Sequence, residues 1–209
     1  TLAQTVSNGL AAVLNLAVAM ACWHKEHIYC SFCGNITKIN QGGHSRVCSQ
    51  TNCQKQHYPR VNPAIIVLVE KDSKALFGRK TQWPRDRYST IAGFIEPGEC
   101  AEQAVVREVA EETGVEVISA TYFSSQPWPF PDSLMLGYHA LAGNSAITLL
   151  DKELDSAIWL DVGEITHRIM QGTLTTPPQI SISFRLIEHW FNQNSSIPLT
   201  KLQENYGNS

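Results

Sequence analysis

The sequence predicts an α/β sandwich, a mixed sheet covered by helices, preceded by a small cysteine-bearing segment with almost no core of its own. Strand-length and helix-length apolar patterns interleave from residue 59 onward. Four of the six cysteines fall in residues 30–58, a stretch rich in Gly, Asn and Ser. The length, 209 residues, suits one full-sized core plus a small appended module.

Residues 1–29 read as a helical segment rich in Ala and Leu, whose pattern gives way near Trp23 and His24. Because the chain opens on Thr1, this segment is expected to be the remnant of a longer amino-terminal domain. Its apolar run, residues 10–20, is broken by Asn15 and is far shorter than the roughly 20 residues of a membrane span. A buried amphipathic helix is the expectation, with neither a membrane span nor a secretory signal. Residues 30–58 form the cysteine segment. Pro59, Arg60 and Pro63 then punctuate the chain and place a domain boundary near residue 59. Residues 64–70, AIIVLVE, read as a strand, and a turn at 71–74 leads to a second strand at 75–79. Further strands are expected at 89–94, 115–125, 134–142 and 157–160, and helices at 100–113, 162–171 and 181–192. This second domain covers residues 59–195, and residues 196–209 read as a polar, frayed tail.

Composition narrows the partners. With 43% hydrophobic and 17% charged residues the chain is ordinary for a globular protein. Sixteen basic and 19 acidic side chains leave a net charge of −3, which excludes a general electrostatic grip on a nucleic-acid backbone. Any such partner must be recognised locally.

Residues 93–115, GFIEPGECAEQAVVREVAEETGV, hold the most informative pattern. Gly114 stands where a helix C-cap belongs. Ahead of it Glu108, Glu111 and Glu112 fall at i, i+3 and i+4, on one face of the helix together with Ala101, Ala104 and Val105. Like charges so spaced repel by a few tenths of a kcal/mol even in water, so the face calls for a cation. Magnesium and manganese favour such hard oxygen ligands. A plain solvated acidic face accounts for three glutamates alone equally well.

Two more patterns stand out. In residues 125–135, SQPWPFPDSLM, three prolines alternate with Gln126, Trp128 and Phe130, which excludes a regular strand or helix there. Prolines fix φ, so the two aromatics are held with little entropy left to lose. They can stack on a planar base or simply cap the core. The cysteines Cys30 and Cys33 are spaced C-x2-C, and Cys48 and Cys53 C-x4-C. Four thiolates in a segment too small to fold alone suit a tetrahedral zinc ion, whose binding supplies the missing folding free energy. The looser second pair leaves His44 or His57 open as ligands, and disulfides are the rival. Cys22 and Cys100 read as buried or half-buried thiols, and His24, His27, His139, His167 and His189 as ordinary surface or core histidines.

Gly93, Glu99, Arg107, Glu108, Glu111, Glu112 and Gly114, with apolar Val109 and Val115, resemble the Nudix box without a departure. Seven fixed identities at about 6% each match by chance with odds of order 10^-9 per start. The resemblance implies an α/β/α sandwich that hydrolyses a nucleoside diphosphate linked to another moiety, with Mg2+ or Mn2+ held by the box. It implies Glu108 and Glu112 as metal ligands and Glu111 as a further ligand or the water-activating base. Arg107 is implied as a structural partner of a glutamate. The run SQPWPFP-x-S is similar to the signature of the NADH pyrophosphatase subfamily. The similarity extends to His57-Tyr58-Pro59-Arg60, Pro63, Ala92-Gly93-Phe94 and the Ser183, Leu186, Ile187 pattern.

The subfamily resemblance implies hydrolysis of NADH or NAD to a nicotinamide mononucleotide and AMP, and also removal of an NAD cap from RNA. It makes Tyr58, Ala92, Phe94, Gln126, Pro127, Trp128, Pro129, Phe130, Pro131, Asp132, Ser133 and Ser183 candidate substrate contacts, and Glu153 a third metal ligand. On its own chemistry Glu153 reads as solvated. A homodimer is implied as well. A cytoplasmic location fits an intracellular dinucleotide and four reduced thiols holding structural zinc. The rival class is a binding module, a zinc ribbon docking a partner beside a Nudix-type fold that only senses nucleotide. Intact glutamates speak against it.

Overall fold

A stretch as poor in apolar residues as 30–58 has to be held by hydrogen bonds and by its cysteines. In the computed structural model, which describes residues 8–149 and 152–206, it does so as a small antiparallel sheet. After helix α1 (Asn8–Glu26) come β1 (Thr37–Asn40), β2 (Ser45–Cys48) and β3 (Gln56–His57), in the order β1-β2-β3. Thr37 stands opposite Cys48, and Arg46 opposite His57. Arg46 is buried. It donates from Nε to Thr37 Oγ1 at 2.6 Å and from Nη2 to Thr37 O at 3.1 Å, and it meets His24 Nδ1 at 3.1 Å. His24 Nε2 lies 2.9 Å from Gly43 O, so the last turns of α1 are tied to the hairpin by a satisfied polar chain.

Only that end of α1 matches the expected burial: Trp23 is buried, whereas Leu10, Val13, Leu14, Leu16 and Val18 are exposed. The run is apolar without being folded against a core among the described residues. Residues 1–7 of the expected helix lie outside the described residues.

The chain divides into two compact units. One runs to Asn62 and includes Pro127–Leu134; the other comprises Pro63–Gln126 and the chain from Met135. Apart from the strand ends at Asn62, Pro127–Trp128 and Ser133–Leu134, the second contains β4 (Asn62–Lys71), β5 (Lys74–Lys80), β6 (Ile91–Phe94), α2 (Ala101–Thr113), β7 (Val117–Trp128) and β8 (Ser133–Ala142). It continues with β9 (Leu154–Leu160), α3 (Val162–Met170), α4 (Ile182–Asn194) and α5 (Leu199–Tyr206). The strands form one six-stranded mixed sheet, ordered β7-β8-β4-β5-β9, with β6 paired to β4.

The unbroken apolar run of β4 follows from its central place, because a strand covered on both faces cannot alternate apolar with polar. Ile65, Val67 and Val69 pack with Leu76, Ala104, Val105 and Val109 on the α2 side. Ile66 and Leu68 pack with Phe77, Ile165, Phe184, Leu186 and Trp190 under α3 and α4. The result is the expected α/β/α sandwich.

Two expectations are corrected. Regular structure does enter the proline run: β7 continues through Gln126, Pro127 and Trp128, and β8 begins at Ser133, leaving only residues 129–132 as turn. β7 is the edge strand, where a proline lacking an N–H forfeits no ladder bond on its open side. The tail is also not frayed throughout. Within α5, Leu199 and Leu202 are buried in the α3–α4 cluster, and at about 1.5–3 kcal/mol for each buried leucine they hold a polar helix in place. Residues 207–209 lie outside the described residues.

Candidate active site

Helix α2 is delimited by its own backbone. Cys100 N donates to Gln103 Oε1 at 2.9 Å across the N-terminus, and Gly114, at φ 70°, closes the other end with its N–H on Ala110 O at 2.8 Å. Cys100 is exposed here, against the expectation of a half-buried thiol, because the capping position faces outward. Ala104, Val105 and Val109 seat the helix on the sheet, and this seating turns the glutamate face toward β6.

Arg107 organises that face. Its guanidinium takes Glu99 in a two-pronged grip, Nε to Oε1 at 2.8 Å and Nη2 to Oε2 at 2.9 Å. It also donates to Phe94 O at 2.8 Å, Glu108 Oε1 at 2.9 Å and Glu111 Oε2 at 3.0 Å. Hydrogen bonds from Arg107 hold the Glu99 carboxyl below the usual range, and the same carboxylates raise the guanidinium. Glu99, which the sequence places in the box without a role, is thus the anchor of the clamp.

Glu108 lies against the backbone of Gly93. A Cβ at residue 93 would stand 1.9 Å from the Glu108 carboxyl carbon, so only glycine leaves room for this rotamer. Burial pushes the Glu108 carboxyl up; Arg107 opposes this, and the charges of Glu111 and Glu153 add to it. Glu112 is only 2% exposed, an unusual place for a carboxylate. Glu111 is the most open of the three, its side chain 55% exposed. Glu153 is 59% exposed and meets Lys80 Nζ at 3.4 Å; Asp151, two residues earlier, lies outside the described residues. Arg107 holds Glu99, Glu108 and Glu111, and Lys80 meets Glu153, with the buried Glu112 on the same helix α2. This surplus of hard oxygen ligands around a glycine cradle fits a divalent cation.

The remaining expected contacts fall into two sets. In the second unit, Phe94 is exposed and Ala92 half-buried. Gln126 clamps the entry to α4, donating to Ile180 O at 2.7 Å and accepting from Ile182 N at 2.8 Å. The buried Ser183 hydroxyl meets Ser89 Oγ at 2.9 Å and Thr90 Oγ1 at 2.8 Å.

In the first unit, Trp128 and Phe130 meet edge to face with centroids 5.6 Å apart, and Phe130 is exposed. Pro127 and Pro131 are exposed, Pro129 and Ser133 buried. Asp132 accepts from Asn62 Nδ2 at 2.9 Å through its side chain and from Asn62 N at 2.8 Å through its carbonyl. Tyr58 is exposed and donates to Gln56 Oε1.

The cysteines converge. The four Sγ atoms of Cys30, Cys33, Cys48 and Cys53 lie within 4.8 Å of one another, with Cys30 to Cys53 at 3.9 Å and Cys33 to Cys48 at 3.4 Å. A tetrahedron of Zn–S bonds near 2.3 Å requires sulfurs roughly 3.8 Å apart. All four are free thiols, and neither His44 nor His57 is in the cluster, so the disulfide and histidine alternatives fall away. The turns that place them are backbone features. Gly34, at φ 73°, donates to Cys30 O at 2.9 Å, and Cys53 N donates to Gln50 O at 3.0 Å. The Asn35 side-chain and backbone N–H groups draw the Cys33 thiol down to about 6, toward the thiolate a metal requires.

An α/β/α sandwich bearing this arginine-clamped glutamate helix defines a Nudix domain. The chain belongs to that family: residues 59–177 match the model described as NUDIX domain, and residues 25–58 match the NADH pyrophosphatase zinc ribbon domain. The cysteine cluster is therefore the structural zinc site of a ribbon, and the glutamates belong to a fold that works with a divalent metal.

The chain is 37% identical over 198 residues to the human NAD-capped RNA hydrolase NUDT12, covering 90% of this chain and 43% of that protein. It is 37% identical over 204 residues to the human mitochondrial NAD(P)H pyrophosphatase NUDT13, covering 90% of this chain and 57% of that protein. The chain thus spans about half the length of these curated relatives. A crystal structure of a Nudix hydrolase from Nitrosomonas europaea superposes with a TM-score of 0.63 at 19% identity. It covers 81% of this chain and 94% of its own, and shows the shared fold. No described helix is long and apolar enough to cross a membrane.

The zinc site makes a direct prediction. Apparent zinc binding in small domains of this kind amounts to about 10–16 kcal/mol, so Cys30→Ser should strip stoichiometric zinc and melt the ribbon. Elemental analysis and zinc-dependent melting are the measurements. A Cys30→Ser protein that keeps its zinc and melting temperature would remove Cys30 from the ligand set.

Proposed function

We propose that this protein hydrolyses the pyrophosphate of a nicotinamide dinucleotide, NADH or NAD, to a nicotinamide mononucleotide and AMP, and that it acts on the same dinucleotide as the 5′ cap of an RNA. The observation that carries this is the Glu108 carboxylate, seated on Gly93 and fixed by Arg107 beside Glu111 and Glu112. Glu108, Glu112, Glu111 and Glu153 would hold Mg2+ or Mn2+. When bound, the ion offsets charge on the pyrophosphate oxygens and makes a coordinated water more acidic.

The protein's own part is positional. Arg107 fixes two of the carboxylates, Glu108 and Glu111, by charge-assisted hydrogen bonds. Glu111, the most open of the three on α2, takes the proton of the attacking water. Phe94 and Ala92 border the dinucleotide. Ser183 acts indirectly by holding Ser89 and Thr90, and Gln126 by fixing the start of α4. Tyr58 and the hairpin from Pro127 through Trp128, Pro129, Phe130, Pro131 and Asp132 to Ser133 take the flat base. A zinc ribbon at 30–58 ahead of a catalytic domain at 59–195, a homodimer and a cytoplasmic location complete the reading. It is supported by names that relatives carry, NAD-capped RNA hydrolase and NAD(P)H pyrophosphatase.

The test is hydrolysis of a dinucleotide panel with added Mg2+ or Mn2+. Release of AMP and nicotinamide mononucleotide is expected, and no release with either metal would reject the proposal. Within the same panel, Trp128→Ala should raise KM for NADH about five- to a hundredfold, the equivalent of one lost stacking contact of about 1–3 kcal/mol. Diadenosine diphosphate, which has no nicotinamide, should be little affected. Equal losses on both would assign Trp128 to loop support or to the adenine end.

A further inference from the structure

The loop between β5 and β6 carries two exposed arginines, Arg85 and Arg87, to which the reading above gives no role. It leaves β5 at Lys80, whose backbone stands opposite Leu154 and whose ammonium lies 3.4 Å from Glu153. The loop therefore starts beside the carboxylates proposed to hold the metal. Residues 81–87, TQWPRDR, then fold back on themselves, with Trp83 N on Lys80 O at 3.0 Å and Arg87 N on Pro84 O at 3.1 Å. Thr175 pins the far side: its N–H donates to Asp86 O at 2.7 Å, its hydroxyl donates to the Asp86 carboxylate, and its carbonyl accepts from Tyr88 N at 3.2 Å.

This arrangement separates the charges. Asp86, the one acid of the loop, is turned to Thr175. Arg85 and Arg87 are exposed, and neither is in an ion pair among the described residues. The Arg87 guanidinium is held over the Trp83 ring, 5.0 Å from its centroid, so it is preorganised rather than trailing in water. Guanidinium forks suit phosphate oxygens, and in a chain of net charge −3 a grip on a polyanion has to be local. A nucleic acid is favoured over an acidic protein surface because the loop starts at Lys80, 3.4 Å from Glu153, one of the carboxylates proposed to hold the metal at the reacting dinucleotide.

We propose that residues 81–87, with Lys80 at their base, form a phosphodiester-binding surface for the ribonucleotide chain that continues from a 5′-terminal dinucleotide, Arg85 and Arg87 each meeting a backbone phosphate. This rests on the cap-removing reading above and adds a contact that free NADH cannot make.

The experiment compares wild type with Arg85→Ala/Arg87→Ala in two assays. In the first, binding of a single-stranded RNA carrying only a 5′-monophosphate is followed by fluorescence anisotropy across a salt series, with no turnover involved. The variant should bind about tenfold more weakly, and its log–log salt slope should fall by about 1.4, from about 0.7 per phosphate contact on a single strand. In the second, kcat/KM on NAD-capped RNA should fall by a similar factor while hydrolysis of NADH stays within about twofold. Unchanged RNA affinity and salt slope would overturn the inference and leave the arginines to an acidic protein partner. Equal losses on capped RNA and NADH would overturn it in favour of a role in shaping the site. Failure of the underlying reading shows differently, as a wild type that hydrolyses neither substrate, and the binding assay still decides whether the loop holds RNA.

Discussion

Glu112→Gln is expected to lower turnover by about a thousandfold or more while the protein stays folded. The side chain is 2% exposed on α2, and the amide has nearly the carboxylate's volume, so no cavity opens. What is lost is one negative charge at the site proposed to gather four glutamates for a cation. Metal ions supply several kcal/mol of charge stabilisation in such reactions, and about 4 kcal/mol corresponds to three orders of magnitude in rate. Steady-state kinetics across a Mn2+ or Mg2+ titration is the measurement, with thermal melting as the control for folding. Wild-type turnover in the variant would remove Glu112 from the metal site. Inactivity that persists at saturating metal with an unchanged melting temperature is the supporting result.

The geometry of the candidate site was readable where local spacing alone sets it. Glu108, Glu111 and Glu112 share a face because a helix has 3.6 residues per turn, and nothing beyond the helix alters that. β4 was readable because its centrality imposes an unbroken apolar run. The cysteines converge because two short turns leave few ways to satisfy four thiols.

Where a residue's fate depends on an element distant in sequence, the pattern misleads. Pro127 reads as a strand breaker until β7 turns out to be an edge. Leu199 and Leu202 read as strays in a polar tail until α3 and α4 provide a surface. Leu10, Val13 and Leu14 read as core yet are exposed. The partner of Arg107 is a similar case: its strongest grip is on Glu99, eight residues back and off the helix, a choice set by how β6 delivers the chain to α2. Lys80 beside Glu153 depends on the β5–β9 register, which no local pattern encodes.

The second large effect is expected at Gly93, where Ala should abolish most activity without unfolding the domain. Gly93 is in β6 opposite Ile65, and its backbone conformation is one any residue can adopt. The obstacle is space. An added Cβ would fall 1.9 Å from the Glu108 carboxyl carbon and 2.0 and 2.1 Å from its two oxygens. The colliding atoms end a flexible side chain, so Glu108 swings aside while the strand stays, and the carboxylate leaves the position Arg107 fixes.

The expected result is a fall in kcat of about a hundredfold or more, of the order that misplacing a catalytic group by about 1 Å produces, with a higher metal concentration needed for half-maximal rate. Gly78→Ala is the comparison. There the new Cβ would meet Leu154 Cδ1 at 2.9 Å and Ile91 Cδ1 at 3.1 Å, apolar atoms of the core. Overpacking of that kind costs about 1–3 kcal/mol of stability and should leave the metal requirement where it was. The two glycines therefore separate crowding as such from displacement of a ligand. If Gly93→Ala keeps wild-type turnover and metal dependence, Glu108 is not where the cation is held, and the cradle has only a packing role.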